Sequence, residues 1–348
     1  MIHLLEPSAD ALKGWLADRG LPDYRAGQIR RWLVAGRADS FDAMTDLPKD
    51  LRTQLAADFQ IWTTRILQHK HCDDGTEKLL LGLADAEQIE CVLLRDGPRR
   101  TICISTQVGC AMGCVFCASG LGGVIRNLTA GEIVEQMLRL DRLLPEDERL
   151  SHIVVMGMGE PLANADRLLA ALELASSPAG LGISARRITI STVGLPRVMD
   201  HLSEQRRRYN LAVSLHAPSD ELRNRLVPVN EKVGLADILS AADRYFESSG
   251  RRLTFEYVLL ADINDRPEHA HRLATLLGSR VALLNVIPYN PVAGLPYKTP
   301  SSHAVVRFVE ILRRAGANVQ VRERKGDQID AACGQLRRAH RETVASDR

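Results

Sequence analysis

From Thr101 onward, short runs of β-branched residues alternate with stretches of helical periodicity, and this alternation restricts the fold more than any other feature of the 348-residue chain. The strand candidates are ICIS at 102–105, HIVVM at 152–156, RITIS at 187–191, NLAVSL at 210–215, LTFEYVL at 253–259 and ALLNVI at 282–287. Between the first two, Thr129 is followed three residues later by Glu132, a capping box, and Ile133, Val134, Met137, Leu138 and Leu144 then keep helical spacing. Helices are also expected over 236–246, 268–277 and 303–315. Strand and helix in turn imply βα units around a parallel sheet, so the expected fold class is α/β, an incomplete (βα)6 barrel. A seventh run, NVQVR at 318–322, adds an edge strand before a polar tail.

Residues 1–97 lack this alternation. Leu12, Trp15, Ile29, Trp32, Leu33, Leu51 and Leu55 stand at helical core spacing, and apolar runs follow at 62–67, 78–83 and 89–94, with Asp74-Gly75 as a hairpin turn. The expected organisation is a small N-terminal α+β domain, 1–97, followed by the barrel, 98–348. Trp15, Trp32 and Trp62 all fall in the first part. Such rings can stack on unpaired bases, but a tryptophan is more often core. In HKHC at 69–72, His69, His71 and Cys72 are metal-binding residue types, yet on a strand Cys72 faces away from both histidines, the pattern of a surface strand.

The seven cysteines are Cys72, Cys91, Cys103, Cys110, Cys114, Cys117 and Cys333. An odd count, with Glu6, Asp10, Lys13, Asp18 and Arg19 interrupting any secretory signal, argues against a disulfide framework. Three of them lie in GCAMGCVFC, spaced so that three thiolates converge on one centre from a single loop, and soft sulfur selects an iron–sulfur cluster or zinc. Zinc closes its tetrahedron with a nearby cysteine or histidine, but no histidine lies between Cys72 and His152. An open coordination position follows, where a three-cysteine cubane can hold a small molecule by its amino and carboxylate groups.

Functional groups of a βα barrel sit on the loops that leave the C-terminal ends of its strands. The cluster loop follows the first strand, and GMGEPL at 157–162 follows the second, with glycines for close backbone approach and Glu160 to accept from an ammonium group. Ser191 ends the third strand, Ser214 and His216 the fourth, and Asn290 lies just past the sixth. Singly, Gly159 and Pro161 also suit a turn, Ser191 a cap and His216 a loop; together they outline one rim.

The 45 basic and 43 acidic residues leave a net charge of +2, too small to attract a polyanion by bulk electrostatics, so any nucleic-acid site must be local. Arginine outnumbers lysine, with clusters at 99–100, 206–208, 251–252, 313–314 and 337–338, a bias that genome composition also explains. The longest charge-free runs, 101–125 and 281–297, are broken by glycine, serine, cysteine or proline and do not resemble the roughly 20 apolar residues of a membrane span. A cytoplasmic protein is expected.

The strings GCAMGCVFC, RNLT, MGMGEPL, ISTVG, SLHAP, IPYNP and GDQIDAACGQL closely resemble the RlmN family, the bacterial dual-specificity RNA adenine-C2 methyltransferases of the radical S-adenosylmethionine (SAM) superfamily. LPDYRAGQIRRWL and FDAMTDLPK extend the resemblance towards the N-terminus. It implies a radical-SAM barrel with a [4Fe-4S] cluster on Cys110, Cys114 and Cys117, and SAM held by Gly159, Glu160, Ser191, Ser214, Leu215, His216 and Asn290. The C2 carbon of adenine is not nucleophilic, so polar attack on the SAM methyl is closed to it. The resemblance implies that one SAM methylates Cys333 and a second is reductively cleaved at the cluster. The deoxyadenosyl radical takes hydrogen from the methyl on Cys333, the carbon radical adds to C2, and Glu90 accepts the C2 proton. Cys103 then attacks Cys333, and the disulfide so formed frees the methylated RNA. Implied partners are 23S rRNA, a tRNA adenine next to the anticodon, and an electron donor such as flavodoxin or ferredoxin, with the chain acting as a monomer.

Without the motif around Cys333, Cys103 would read as a small core residue and Glu90 as a solvated strand face. Cys91 points the other way from Glu90 and packs, and Cys72 has no family role. Gly326 and Gly334 bracket a short loop around Cys333. GGVIRNL lacks the aromatic residue usual before Arg-Asn-Leu, which leaves the seat of the target base open. Two other activities fit the motifs: C8 methylation of the same ribosomal adenine, and a non-catalytic iron–sulfur or zinc module that binds RNA. GDQID and the N-terminal segment favour C2.

Overall fold

The computed structural model describes residues 1–6, 11–204, 208–322 and 324–337. Arg206, Arg207, Arg338 and the rest of the polar tail lie outside the described residues. One ten-stranded sheet organises the chain. Its strands are β1 (Arg65–His71), β2 (Glu77–Gly82), β3 (Gln88–Asp96), β4 (Arg99–Cys103), β5 (His152–Val155), β6 (Ile188–Thr192), β7 (Asn210–Ser214), β8 (Leu253–Leu259), β9 (Ala282–Pro288) and β10 (Val319–Val321). Their spatial order is their chain order, with β1 and β10 at the two edges. Strands β4 to β10 are parallel, whereas β1 to β4 form an antiparallel meander. All six expected barrel strands are present, with NVQVR supplying the parallel edge strand. The first begins earlier than its apolar run, at Arg99, because Asp96 pairs with Arg99 in the β3–β4 hairpin. The sheet thus runs unbroken across residue 97.

The crossover helices follow from local sequence. Thr129 caps α4 (Ala130–Asp141): its hydroxyl accepts from the Glu132 N–H, and the Glu132 carboxylate accepts from the Thr129 N–H at 2.8 Å. Helices α5 (Ala165–Ser176), α6 (Pro196–Ser203), α7 (Asp220–Leu226), α8 (Leu235–Ser249), α9 (Pro267–Leu277) and α10 (Ser302–Arg314) complete the outer layer. Before the sheet come three helices, α1 (Ala11–Asp18), α2 (Tyr24–Val34) and α3 (Lys49–Asp58), whose Leu12, Trp15, Ile29, Leu33, Leu51 and Leu55 join the same apolar core as the barrel strands.

The tryptophans are taken up by packing. Trp15 lies edge-on to Phe59 and donates to Asp58 at 2.6 Å, and Trp32 donates to Asp46. Arg139 and Arg142 stack on Trp62, 4.3 and 4.7 Å from its ring centroid. The Asp74-Gly75 turn joins β1 to β2, with Gly75 at φ +79° and the Asp74 carboxylate accepting from the Thr76 N–H at 2.8 Å. No helix among the described residues is long and apolar enough to cross a membrane.

Candidate active site

Beyond β4 the chain forms a short antiparallel pair, Gln107–Gly109 with Val124–Asn127, and the segment between them carries Cys110, Cys114 and Cys117. The loop is set by backbone bonds: Cys110 N–H donates to Gly123 and Cys117 N–H to Cys114, at 3.0 and 3.1 Å. The three half-buried thiols line a cavity of about 930 Å³, open mouth included. Gly159, Glu160, Ser191, Ser214, His216, Asn290 and Cys333 line it as well. Leu215 does not; it is buried, its N–H donating to the Glu256 carbonyl and its own carbonyl accepting from Arg223.

The donor set fits a cluster better than a single ion. Around one tetrahedral zinc, sulfurs at about 2.3 Å from the metal stand roughly 3.8 Å apart. Among the described residues the three sulfurs do not all fall within 4.8 Å of one another. A cubane, with each thiolate on a separate iron, takes the wider spacing. Burial pushes the Cys110 thiol up to about 12 and raises Cys114 and Cys117 as well, with neighbouring thiols adding to each shift, so ligation has to displace protons.

The opposite wall is built around GMGEPL. A Cβ at Gly157 would lie 2.6 Å from Ser105 Oγ, and one at Gly159, where φ is +101°, would lie 2.6 Å from Gln107 Cβ. Only glycine lets this strand end lie so close to the cluster loop. Glu160 is buried, and its carboxylate accepts from Leu162 N–H (3.0 Å) and Val193 N–H (2.9 Å). The Thr192 side chain supplies a third hydrogen bond, so one of the carboxylate's four lone pairs remains for a ligand. His216, held at φ +61°, accepts from Val258 N–H through Nδ1 at 3.1 Å, which puts its proton on Nε2. Burial, reinforced by Arg223, pulls its pKa down to about 3, so the ring is a neutral donor. Asn290 donates to the Cys333 carbonyl at 3.2 Å and keeps a buried Oδ1 with no partner, an acceptor awaiting a ligand.

Cys333 also lines a second, larger cavity of about 1680 Å³, and Cys103 lies on its wall. Arg99, Arg186, Arg187, Arg322, Arg324 and Lys325 surround this space, which makes it strongly basic. Cys103 is buried and its thiol is pushed up to about 12, by burial first and then by Cys333, while Arg322 opposes the rise. Both cysteines are free thiols here. Glu90 lines neither cavity. It is buried beside the loop after β10, with Lys78 Nζ at 2.8 Å from one oxygen and the Arg337 N–H donating to the other at 2.8 Å. Burial outweighs the lysine and raises its pKa.

The loop that presents Cys333 is fastened on several sides. Lys78 Nζ donates to the Asp330 carbonyl and Gly326 N–H to Asp74, at 2.9 and 2.8 Å. On the cluster side, Ala118 N–H and Ser119 Oγ donate to the carbonyls of Gly334 and Leu336, at 2.8 and 2.7 Å. A Cβ at Gly326 would meet Thr76 at 2.7 Å.

The profile of the Radical SAM superfamily matches residues 104–274, and that of the ribosomal RNA large subunit methyltransferase N-terminal domain matches residues 2–61. The protein of Rhodopirellula baltica named "Probable dual-specificity RNA methyltransferase RlmN" is 64% identical over 344 residues, covering 99% of this chain and 93% of its own length. The chain belongs to the RlmN family. The like-named protein of Bacillus subtilis is 43% identical over 96% of this chain and 92% of its own. A solved radical SAM methyltransferase from Sphaerobacter thermophilus superposes with a TM-score of 0.94 at 42% identity, covering 97% of this chain and all of its own.

Several residues that shape this cavity carry little signal in the sequence. Gln107 accepts from the Glu160 N–H at 2.8 Å and so fixes the turn before that carboxylate. Arg223, fully buried, donates to the carbonyls of Val193, Ser214 and Leu215 and ties the ends of β6 and β7 together. Burial pulls its pKa down to about 10. Glu256 lines the cluster cavity, accepts from Asn285 at 2.9 Å and lies 4.0 Å from Arg322. A lone glutamate inside the apolar run LTFEYVL is a signal for it; nothing in spacing marks Gln107 or Arg223.

Proposed function

We propose that this chain is a radical SAM RNA methyltransferase that places a methyl group on C2 of an adenine in 23S rRNA, and on C2 of a tRNA adenine, using Cys333 as the carrier. The observation that carries the reading is that Cys333 stands in the wall between the cavity of the three cluster thiols and the basic cavity of Cys103. A methyl received on one side can be delivered on the other by a small turn of one side chain.

In this reading Cys110, Cys114 and Cys117 hold a [4Fe-4S] cluster, and Glu160, Ser191, Ser214, His216 and Asn290 hold SAM, with Gly159 giving it close backbone approach and the chain around Leu215 shaping the wall. When bound, the cluster and SAM supply the methyl group and the one-electron chemistry that polar attack on an unreactive purine carbon lacks. Two SAM molecules are consumed per turnover, one for the carrier and one for activation. The basic cavity holds the RNA phosphates locally, although the chain as a whole is nearly neutral. Glu90 accepts the C2 proton when RNA lifts the segment around Arg337. The Cys103 thiolate then attacks the Cys333 sulfur: the disulfide forms as the Cys333 S–CH2 bond breaks, the electron pair of that bond stays with the methylene on C2, which takes up a proton to become the methyl group, and external thiols reduce the disulfide to restore both cysteines. Residues 1–97 act as an accessory region that contacts RNA. A flavodoxin- or ferredoxin-type donor serves a monomer in the cytoplasm.

The test is anaerobic reconstitution with iron, sulfide and a strong reductant, followed by assay on an rRNA fragment. SAM cleavage to deoxyadenosine and RNA methylation are expected from the wild type. Cys110→Ala should lose both. Cys333→Ala should lose methylation alone, and RNA methylation that persists in Cys333→Ala overturns the reading.

A further inference from the structure

We propose that His69, His71 and Glu77 form a second metal site, for a divalent transition cation of the zinc type, on the outer hairpin and apart from the cluster. His69 and His71 stand two residues apart on β1, so they project from the same face of the sheet's edge strand. The register pairs His71 directly with Glu77 on β2. The rings of His69 and His71 lie 5.5 Å apart at 87°, and one donor atom from each of the three residues falls within 4.8 Å of the others.

Glu77 is oriented for the task. Arg95 Nη1 holds one of its carboxylate oxygens at 2.5 Å, which leaves the other facing His69 Nε2, also at 2.5 Å. A partner fixing the free oxygen of a ligating carboxylate is the usual support of a metal ligand. Two imidazoles and a carboxylate match zinc or its neighbours rather than calcium or magnesium, and three protein ligands leave a fourth position for water or an oxyanion. On binding, the cation takes the place of any proton that His69 shares with Glu77. Cys72 lies outside the set, donating to Gln328 at 3.2 Å.

The experiment uses the full chain with its cluster already assembled, because empty cluster thiols would also take up zinc. Titration with Zn²⁺, and with Co²⁺ as a spectroscopic probe, should show one equivalent beyond the cluster, with cobalt ligand-field bands and no thiolate charge transfer. The equivalent should disappear in the double variant His69→Ala, His71→Ala, weaken in Glu77→Gln and persist in Cys72→Ser. The two histidines are exposed, and melting of the double histidine variant in the absence of added metal should match the wild type. Absence of the extra equivalent in the wild type overturns the proposal. So does its survival in the double histidine variant, or thiolate charge transfer that Cys72→Ser removes.

Discussion

Replacing Lys78 with methionine isolates the fastening of the loop that carries Cys333. Lys78 and Glu90 are both almost fully buried, their charged groups meet at 2.8 Å, and the same ammonium also donates to the Asp330 carbonyl at 2.9 Å. Removing one partner of such a pair leaves a buried charge uncompensated, which costs about 3–5 kcal/mol. Glu90 retains only the Arg337 N–H, and its already raised pKa should rise further. If the penalty is released by opening of residues 326–337, local opening becomes roughly a hundred to several thousand times more frequent, at about 1.4 kcal/mol per factor of ten. Hydrogen exchange with peptide-resolved mass spectrometry on the cluster-loaded protein measures this. Amides of 326–337 in Lys78→Met should exchange faster by that factor while those of β6 to β8 stay protected. The double variant Lys78→Met, Glu90→Gln, with no net charge left in the gap, should recover much of the loss. Protection in Lys78→Met equal to that of the wild type would refute the assignment of the loop's stability to this pair.

Two further outcomes rest on the same geometry. Gly159→Ala forces a side chain into a φ of +101° with its Cβ 2.6 Å from Gln107; strain and overpacking together cost about 2–6 kcal/mol, and both the melting temperature and SAM affinity should fall, whereas unchanged melting contradicts the close approach. The Cys103 thiol is raised from its ordinary 9.0 to about 12, so the stability it contributes is complete below pH 9 and is lost as pH rises towards 12. At pH 10.5 the wild type should have lost about 2 kcal/mol through this group, and Cys103→Ala should show correspondingly less alkaline destabilisation in urea unfolding; equal pH dependence of the two contradicts the burial argument.

The parallel part of the fold is legible in the sequence because each strand is a short β-branched run between helical segments, and buried parallel strands carry that pattern in full. The meander β1 to β3 reads as a separate unit, since its antiparallel runs lack the intervening helices of the barrel, and the turn sequence Asp96-Gly97-Pro98 is the local signal that β3 pairs onward with β4. The cluster loop is visible because its ligands are close in sequence. The rim residues are visible because strand ends can be located. Partnerships across long separations are not: Lys78 with Glu90 and Asp330, Arg223 with three strand-end carbonyls, and Gln107 with Glu160 depend on which elements pack together. Glu90, which without its motif suggests a solvated face, is buried for the same reason: the loop after β10 covers it.

One methyl group passing through Cys333, from the cluster cavity to an adenine in the basic cavity, is the step on which the proposed function stands. A pulse and chase with methyl-deuterated SAM tests it directly: the anaerobic, cluster-loaded enzyme is incubated with label and no RNA, then given RNA and unlabelled SAM, with mass analysis of the Cys333 peptide and of the nucleosides. Label should appear first on Cys333 and then leave it for 2-methyladenosine. Labelled RNA without labelled Cys333, or label emerging in 8-methyladenosine, would contradict that step.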